Sequence, residues 1–180
     1  MTKQFLGIVP ADVEPVAFRS VMRNVAGAVS VVTAAGAGIR AGLTATSLTS
    51  LSAEPPAVLV CVNRGASAWP VIERAGHFAI NVLGAGHQAI ADRFAGRDGI
   101  KGEERFQVGD WSRLATGAPI LEDALAVLDC EIEEIIGRHS HAILIGRVKA
   151  IREAGTEGAL LYWRGLYGKL DEALQHGAGI

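Results

Sequence analysis

Residues 128–133 alternate strictly: Leu128, Cys130 and Ile132 are apolar, while Asp129, Glu131 and Glu133 are acidic. A period of two places the apolar set on one face of an extended strand and the carboxylates on the other. A strand with one wet face suits an antiparallel sheet, because parallel sheets are covered on both faces and read as continuous apolar runs. Gly137-Arg-His-Ser-His141 turns this strand, and residues 142–152 supply its antiparallel partner. The last third of the chain therefore commits the fold to hairpins rather than to strand–helix–strand units.

The same pairing recurs upstream. Val29-Ser-Val-Val-Thr33 is a β-branched strand, Ala35-Gly-Ala-Gly38 turns it, and residues 39–46 return. Residues 47–54 are small and polar, and Pro55-Pro56 halts regular structure. Ala57-Val-Leu-Val-Cys-Val62 is an unbroken apolar run and reads as a strand buried on both faces. Residues 77–83 and 160–163 read as further strands, the latter followed by Arg164-Gly-Leu-Tyr167. The helices are short. Phe18, Val21, Met22 and Val25 fall at i, i+3, i+4 and i+7 and predict an amphipathic helix over 15–26. Ser67 is placed to cap a second helix, with Pro70 in its first turn and Gly76 at its end. Gly84-Ala-Gly86 leads into a third, which carries Ile90 and Phe94. Residues 96–123 hold six Gly and Pro residues among many charges and predict a long irregular excursion, the kind of loop that usually carries function. The expected architecture is mainly β with short helices, an antiparallel barrel formed by residues 15–170, with an N-terminal extension (1–14) and a C-terminal tail (171–180).

Composition narrows the function classes. A chain of 180 residues makes one domain. With 17 basic and 19 acidic residues its net charge is −2, which excludes a broad basic surface for nucleic acid. Residues 1–7 have no apolar core of a signal peptide, and no stretch approaches the length of a membrane span, so a cytoplasmic protein without membrane partners is expected. Two cysteines, Cys61 and Cys130, sit inside apolar runs and read as buried small hydrophobes.

Several segments are candidates for chemistry. Thr44-Ala-Thr-Ser-Leu-Thr-Ser-Leu-Ser52 carries six hydroxyls in nine residues. Such a segment offers hydroxyls and backbone N–H groups to a phosphate without using many cations, or else is a solvated polar turn. Gly84-Ala-Gly86-His-Gln-Ala89 fits G-x-G-x-x-A after a strand, the weakest form of the dinucleotide fingerprint, or a plain strand-to-helix turn. His139 and His141, two apart at a strand start, are readable as a metal pair, as ring N–H donors beside an anionic or redox ligand, or as exposed loop residues. No spacing supplies a third metal ligand, so no metal is expected. Asn63, Ser67 and Trp69 follow a buried strand, where a pocket often opens, or serve as cap and packing. Lys101 and Arg105 are phosphate contacts or a solvated charged loop, and Arg40, Arg64 and Arg97 are each available for a nicotinamide ribose phosphate.

Taken in order, these blocks resemble a known family. The landmarks are Phe18-Arg19 through Gly27-Ala-Val-Ser-Val-Val-Thr33; Gly42-Leu-Thr-Ala-Thr-Ser-Leu-Thr-Ser-Leu-Ser52; Pro55-Pro56 with Val58-Leu-Val-Cys-Val-Asn63; Phe78-Ala-Ile-Asn-Val-Leu83; and Phe94-Ala-Gly96. Trp111, Gly117-Ala-Pro119, Gly137-Arg-His-Ser-His141 through Gly146-Arg-Val148, and Leu161-Tyr-Trp-Arg-Gly-Leu-Tyr167 follow. The chain resembles the short-chain flavin reductases of the FMN-binding split-barrel superfamily, the reductase components of two-component flavin-dependent monooxygenases.

The resemblance implies a homodimeric split barrel that binds FMN or FAD near the subunit interface and takes NADH or NADPH as reductant. It implies that Thr44, Ala45, Thr46, Ser47, Leu48 and Ser50 line the flavin. Cys61, Val62, Asn63, Ser67, Ala68 and Trp69 would follow its ribityl chain and phosphate, and Phe94, Ala95 and Gly96 would form a further wall. Many relatives carry Gly-Asp-His five residues before a strand glycine. Counting back from Gly146 gives His141 as the catalytic-site histidine that meets the nicotinamide, and counting forward from Gly137 gives His139. The implied reaction is hydride transfer from NAD(P)H to flavin, with reduced flavin passed to a partner monooxygenase. The alternative within the superfamily is a flavin-binding sensor or oxidase without free-flavin reductase activity.

Overall fold

The computed structural model describes residues 12–97, 99–154 and 158–170. Most of the expected extension and the whole expected tail, residues 1–11 and 171–180, lie outside them.

The chain opens with helix α1 (Pro15–Met22) and strand β1 (Gly27–Ala28). Then come β2 (Ser30–Gly36), β3 (Ile39–Ala45), β4 (Thr49–Ala53) and β5 (Pro56–Asn63). Helix α2 (Trp69–Ala75), β6 (His77–Val82) and α3 (Gln88–Ala95) follow. A 3₁₀ segment (Gly102–Gln107) precedes β7 (Trp111–Arg113) and β8 (Pro119–Leu121). The long strands β9 (Ala126–Arg138) and β10 (His141–Glu153), then β11 (Ala159–Trp163) and β12 (Leu166–Leu170), complete it. Seven strands form one antiparallel sheet in the order β3-β2-β6-β9-β10-β5-β4. β1, β11 and β12 form a second sheet, and β7–β8 a small hairpin.

The mainly β, antiparallel expectation holds, and a simple geometric fact bends the large sheet. Its two edges, β3 and β4, are consecutive in sequence and joined by residues 46–48. Four Cα steps reach at most about 14 Å. The sheet must curl until its edges approach at that end. No ladder joins β3 to β4 among the described residues, so the barrel stays open along its side.

Two apolar cores fill the curl. Val32, Val58, Val60, Val62, Phe78, Ile80, Cys130 and Leu144 pack with Trp69 and Ile72 of α2. Val31, Leu83, Val127 and Leu160 pack with Ile90 and Phe94 of α3 and Ile120 and Leu121 of β8. A buried polar knot ties the β7–β8 hairpin to the sheet. Asn81 Nδ2 donates to Val31 O at 3.1 Å, Asn81 Oδ1 accepts from Leu121 N at 2.7 Å, and Thr33 Oγ1 donates to Pro119 O. Gly146 permits the closest packing in the sheet: a Cβ there would lie 2.5 Å from Phe78 Cζ.

Several expectations change. The run 57–62 is not buried on both faces. Val58, Val60 and Val62 are buried, but Leu59 and Cys61 are half-exposed, because nothing among the described residues covers the outer face of β5 there. Strand register sets Ile145 and Ile143 of β10 beside Leu59 and Cys61, and Ile136 of β9 beside Ile143, so a half-exposed apolar strip crosses three strands. The polar segment 47–54 is largely strand: pairing with β5 overrides its weak propensity. Glu54-Pro55 makes the turn of that hairpin and Pro56 opens β5, so the proline pair does not end regular structure. Helix α1 stops at Met22, where the Asn24 amide donates to Ser20 O and Val21 O and takes over the last carbonyls. Ser67 does not cap α2; Ala68 holds that position, and no side-chain cap is made. The excursion 96–123 is only partly irregular. The Gly84 turn closes on His87 Nδ1 at 3.1 Å and lies in an antiparallel context, so the dinucleotide-fingerprint reading falls.

Candidate functional site

The hydroxyl-rich segment forms the link between the two sheet edges, and two cavities open beside it. One, about 320 Å³, is lined by Val29, Thr44, Ala45, Thr46, Ala95, Arg97, Tyr162 and Tyr167. The other, about 690 Å³, shares Thr46 and Tyr162 and adds Ser47, Arg19, Arg23 and Arg164 among its walls. Three backbone features build this corner. Gly27 lies so close to Thr46 that a Cβ there would meet Thr46 Cβ at 2.9 Å. Helix α3 ends at Gly96 with φ of 76°, which releases the chain toward Arg97. The β11–β12 hairpin turns through Arg164 and Gly165, both at positive φ. That turn grips the end of α1: Arg23 donates to Arg164 O at 2.7 Å, and Arg164 donates to Asn24 Oδ1 at 2.9 Å.

The hydroxyls divide into two groups. Thr44 Oγ1 donates to Ala91 O at 2.7 Å, so it anchors α3. Ser47 Oγ accepts from Cys61 N at 3.1 Å and donates to Cys61 O at 3.0 Å, so it clasps the link to β5. Both are committed within the fold. Thr46 and Ser50 are exposed, and their hydroxyls make no hydrogen bond among the described residues. Leu48 packs against the α2 core.

Electrostatics at the smaller cavity centre on Arg97. Its Nη1 lies 3.0 Å from Asp92 Oδ1, and its guanidinium sits 5.2 Å from the centre of the Tyr167 ring. Tyr162 and Tyr167 meet edge to face at 5.3 Å. Burial, then the Asp92 carboxylate, push the Tyr167 phenol above its ordinary range, so it remains a protonated donor at neutral pH.

The remaining candidates separate. Cys61 and Asn63 lie two apart on β5, about 7 Å along the strand, on the outer face. Asn63 pairs in register with His141. The Ser47–Cys61 clasp and the Asn63–His141 pair are therefore neighbours on one face. Asn63 Oδ1 accepts from Gly65 N at 2.8 Å, and His141 Nδ1 shares a hydrogen bond of 2.8 Å with Ser140 Oγ. The two histidines do not share a strand face, because His139 sits in the turn with φ of 50°. No group of three or more potential metal ligands stands together among the described residues. Val62, Ala68 and Trp69 are buried in the α2 core, and Ser67 is exposed.

Phe94 is core rather than wall, 1% exposed and ringed by Phe106 and Trp111 at 5.1 and 5.3 Å. Its neighbours Ala95 and Arg97 line the cavity instead. Arg105 is no phosphate contact: it is buried and donates to Gly42 O at 2.7 Å and Ile100 O at 3.1 Å. Arg40 is paired with Glu103. Tyr162, Tyr167, Arg19, Arg23 and Arg164 were not singled out as site residues. Their signals were the Tyr-x-x-x-x-Tyr spacing of residues 162–167 and the arginines flanking the amphipathic helix, and only the tertiary pairing of β1 with β11 brings these to Thr46.

A flavin phosphate and ring need cations, free donors and aromatic or apolar walls. This corner holds all three in Arg97, Arg23, Thr46 and the tyrosine pair, so the residues fit such a group. The flavin reductase like domain matches residues 22–171. An "FMN reductase (NADH) RutF 1" of Methylorubrum extorquens is 41% identical over 99% of this chain and 87% of its own length. Among solved structures, the NADH:FAD oxidoreductase SgcE6 of Streptomyces globisporus C-1027, in complex with NAD and FAD fragments, superposes with a TM-score of 0.80 at 30% identity, covering 91% of this chain and 99% of that one. A nitrilotriacetate monooxygenase component B homologue from Mycobacterium thermoresistibile superposes with a TM-score of 0.81 at 28% identity, covering 91% and 90%. The chain belongs to the flavin reductase family of NAD(P)H-dependent oxidoreductases.

Proposed function

We propose that the protein reduces free FMN or FAD with NADH, releases the reduced flavin to a separate monooxygenase, and works as a homodimer. The observation that carries this reading is the pair of cavities around Thr46, whose walls hold arginines, the unbonded Thr46 hydroxyl and the tyrosine pair. The names of the relatives support NADH as reductant and a two-component partnership.

When bound, a flavin supplies the hydride acceptor. The chain's own residues bind and orient. Thr46 and the backbone of the link offer donors to a phosphate, and Arg23, Arg97 and Arg164 balance its charge. Tyr162 and Tyr167 give an aromatic wall. Asn63 and His141, at the open end of β5 and β10, orient the nicotinamide dinucleotide through side-chain N–H groups, and no side chain need act as a nucleophile. Both cavities are open to solvent, which suits a flavin that enters and leaves at each turnover. The half-exposed strip of Leu59, Cys61, Ile143 and Ile145 supports the dimer, because a soluble monomer seldom leaves such a strip uncovered.

The test is anaerobic mixing of the protein with NADH and excess FMN or FAD while the oxidised-flavin absorbance is followed. Turnover of many flavins per chain is expected. Bound flavin without turnover selects the sensor or oxidase alternative. His141→Ala is expected to raise KM for NADH more than it lowers kcat, and an unchanged KM removes His141 from the nicotinamide.

A further inference from the structure

A second cationic pocket lies at the other end of the sheet. A cavity of about 320 Å³ is bounded by the β2–β3 turn, the start of β6 and the β7–β8 hairpin, with Arg40, His77, Arg113 and Thr116 among its walls. Ala37 and Gly38, at φ of 51° and 78°, form the turn, which sits at the far end of β3 from Thr44, about 20 Å along the strand. The pocket is therefore separate from the corner around Thr46.

Its side chains are unevenly satisfied. Arg40 is held by Glu103 and stacks 4.5 Å from the centre of the Phe106 ring. Thr116 N donates to Asp129 Oδ2 at 2.8 Å and Thr116 Oγ1 to Asp129 Oδ1, so this wall is fixed by a fully buried carboxylate. Across His77, Lys149 pairs with Glu131 at 3.2 Å. Two groups are left over. Arg113 has no acidic partner among the described residues, and His77 Nε2 is buried without a hydrogen bond. A buried ring nitrogen left unpaired is destabilising and calls for an explanation. The remaining wall is aliphatic: Ala35, the Ala37 turn and Ile39. A guanidinium fork matches a carboxylate in plane, and a ring nitrogen beside it completes the set.

We propose that this pocket binds a small organic carboxylate, anchored by Arg113 and hydrogen-bonded by His77, with its apolar body against the β2–β3 turn. The carboxylate brings the anion that Arg113 lacks and the partner that His77 Nε2 lacks. The pocket is small enough to admit a single-ring acid and too small for a dinucleotide. The proposal stands whether or not the flavin reading of the other corner does.

Titration calorimetry with benzoate tests it, run with and without excess FMN. One saturable site per chain is expected, unaffected by FMN. Arg113→Ala and His77→Gln should each weaken binding about tenfold while flavin reduction persists. Arg113 is exposed, so its variant keeps the fold even if the histidine variant does not. Inorganic phosphate carries the charge without the apolar body and should bind more weakly than benzoate. No saturable binding up to about 10 mM overturns the proposal. So do heat abolished by FMN, affinity unchanged in both variants, and phosphate binding tighter than benzoate.

Discussion

Strands β2 and β6 and strands β5 and β10 carry similar densities of apolar residues, yet their surroundings differ. In β2, Val31, Val32, Thr33 and Ala34 are all buried, and in β6 Phe78, Ala79, Ile80 and Asn81 are too. Helix α2 covers one face of this half, and α3 with the β7–β8 hairpin covers the other. In β5 burial alternates from Val58 to Val62, and in β10 from Ala142 to Gly146, because no described residue covers the outer face there. The first half is completed by its own sequence. The second is left open among the described residues, and a second copy of the chain is the proposed cover. Apolar content sets how much surface wants burial, and topology decides who buries it.

The contrast is sharpest at Phe78 on the doubly covered strand. Phe78→Ala should destabilise the protein by about 3–5 kcal/mol, read as a fall in denaturant midpoint, because the pocket formed with Gly146 cannot collapse. Replacing Asn81 by Leu should cost about 1–3 kcal/mol through the Leu121 N–H and Val31 C=O left unpaired. A loss that small would still separate this knot from ordinary core, since an apolar side chain of equal size fills the same space.

On the half-covered strand the expected effect lies in assembly rather than in folding. Ile143→Lys should leave the isolated chain's stability within about 0.5 kcal/mol but shift its mass in solution from dimer to monomer. Thiol labelling reads the same comparison. Burial, and Asp129 beside it, push the Cys130 thiol up to about 12, so Cys130 stays unreactive until the chain unfolds. Cys61 should be protected in the wild-type dimer and label once per chain in Ile143→Lys. Rapid Cys61 labelling in the wild type would remove the strip from the interface.

The smallest effect belongs to the surface. Arg40 holds the Glu103 carboxyl below its usual range. The stabilisation is present above the ordinary carboxylate pKa and is lost as pH falls through the lowered one. The pair is largely exposed, so the loss in an acid titration should be at most about 0.5 kcal/mol, and Glu103→Gln should abolish it.

Periodicity made the hairpins legible. The alternation at 128–133 and the apolar run at 57–62 both became sheet, because side-chain period maps directly onto strand faces. Coverage was not legible: nothing in Val58–Val62 says which face a helix will reach. The candidate site was legible as a segment and not as a set of roles. Six hydroxyls in nine residues marked the corner, but Thr44 and Ser47 turned out to be tethers, and a hydroxyl's partner depends on chain that lies far off in sequence. Tyr167 and Arg164 were invisible as site residues for the same reason, since β11 reaches Thr46 only through its pairing with β1. The expected cap at Ser67 failed by one residue, within the ordinary uncertainty of helix ends.

The link at residues 46–48 has a consequence for folding fidelity. A one-residue slip of β4 along β5 would turn every side chain of β4 to the opposite face. It would also drag Ser47 off Cys61, so the two-bond clasp breaks at the first wrong register. Inserting a residue into the link would relax that check, because a longer tether lets both alignments form. The segment proposed to receive the flavin is thus also the gauge against which the two sheet edges are aligned, and a chain that misfolds there loses the Thr46 corner before it loses its core.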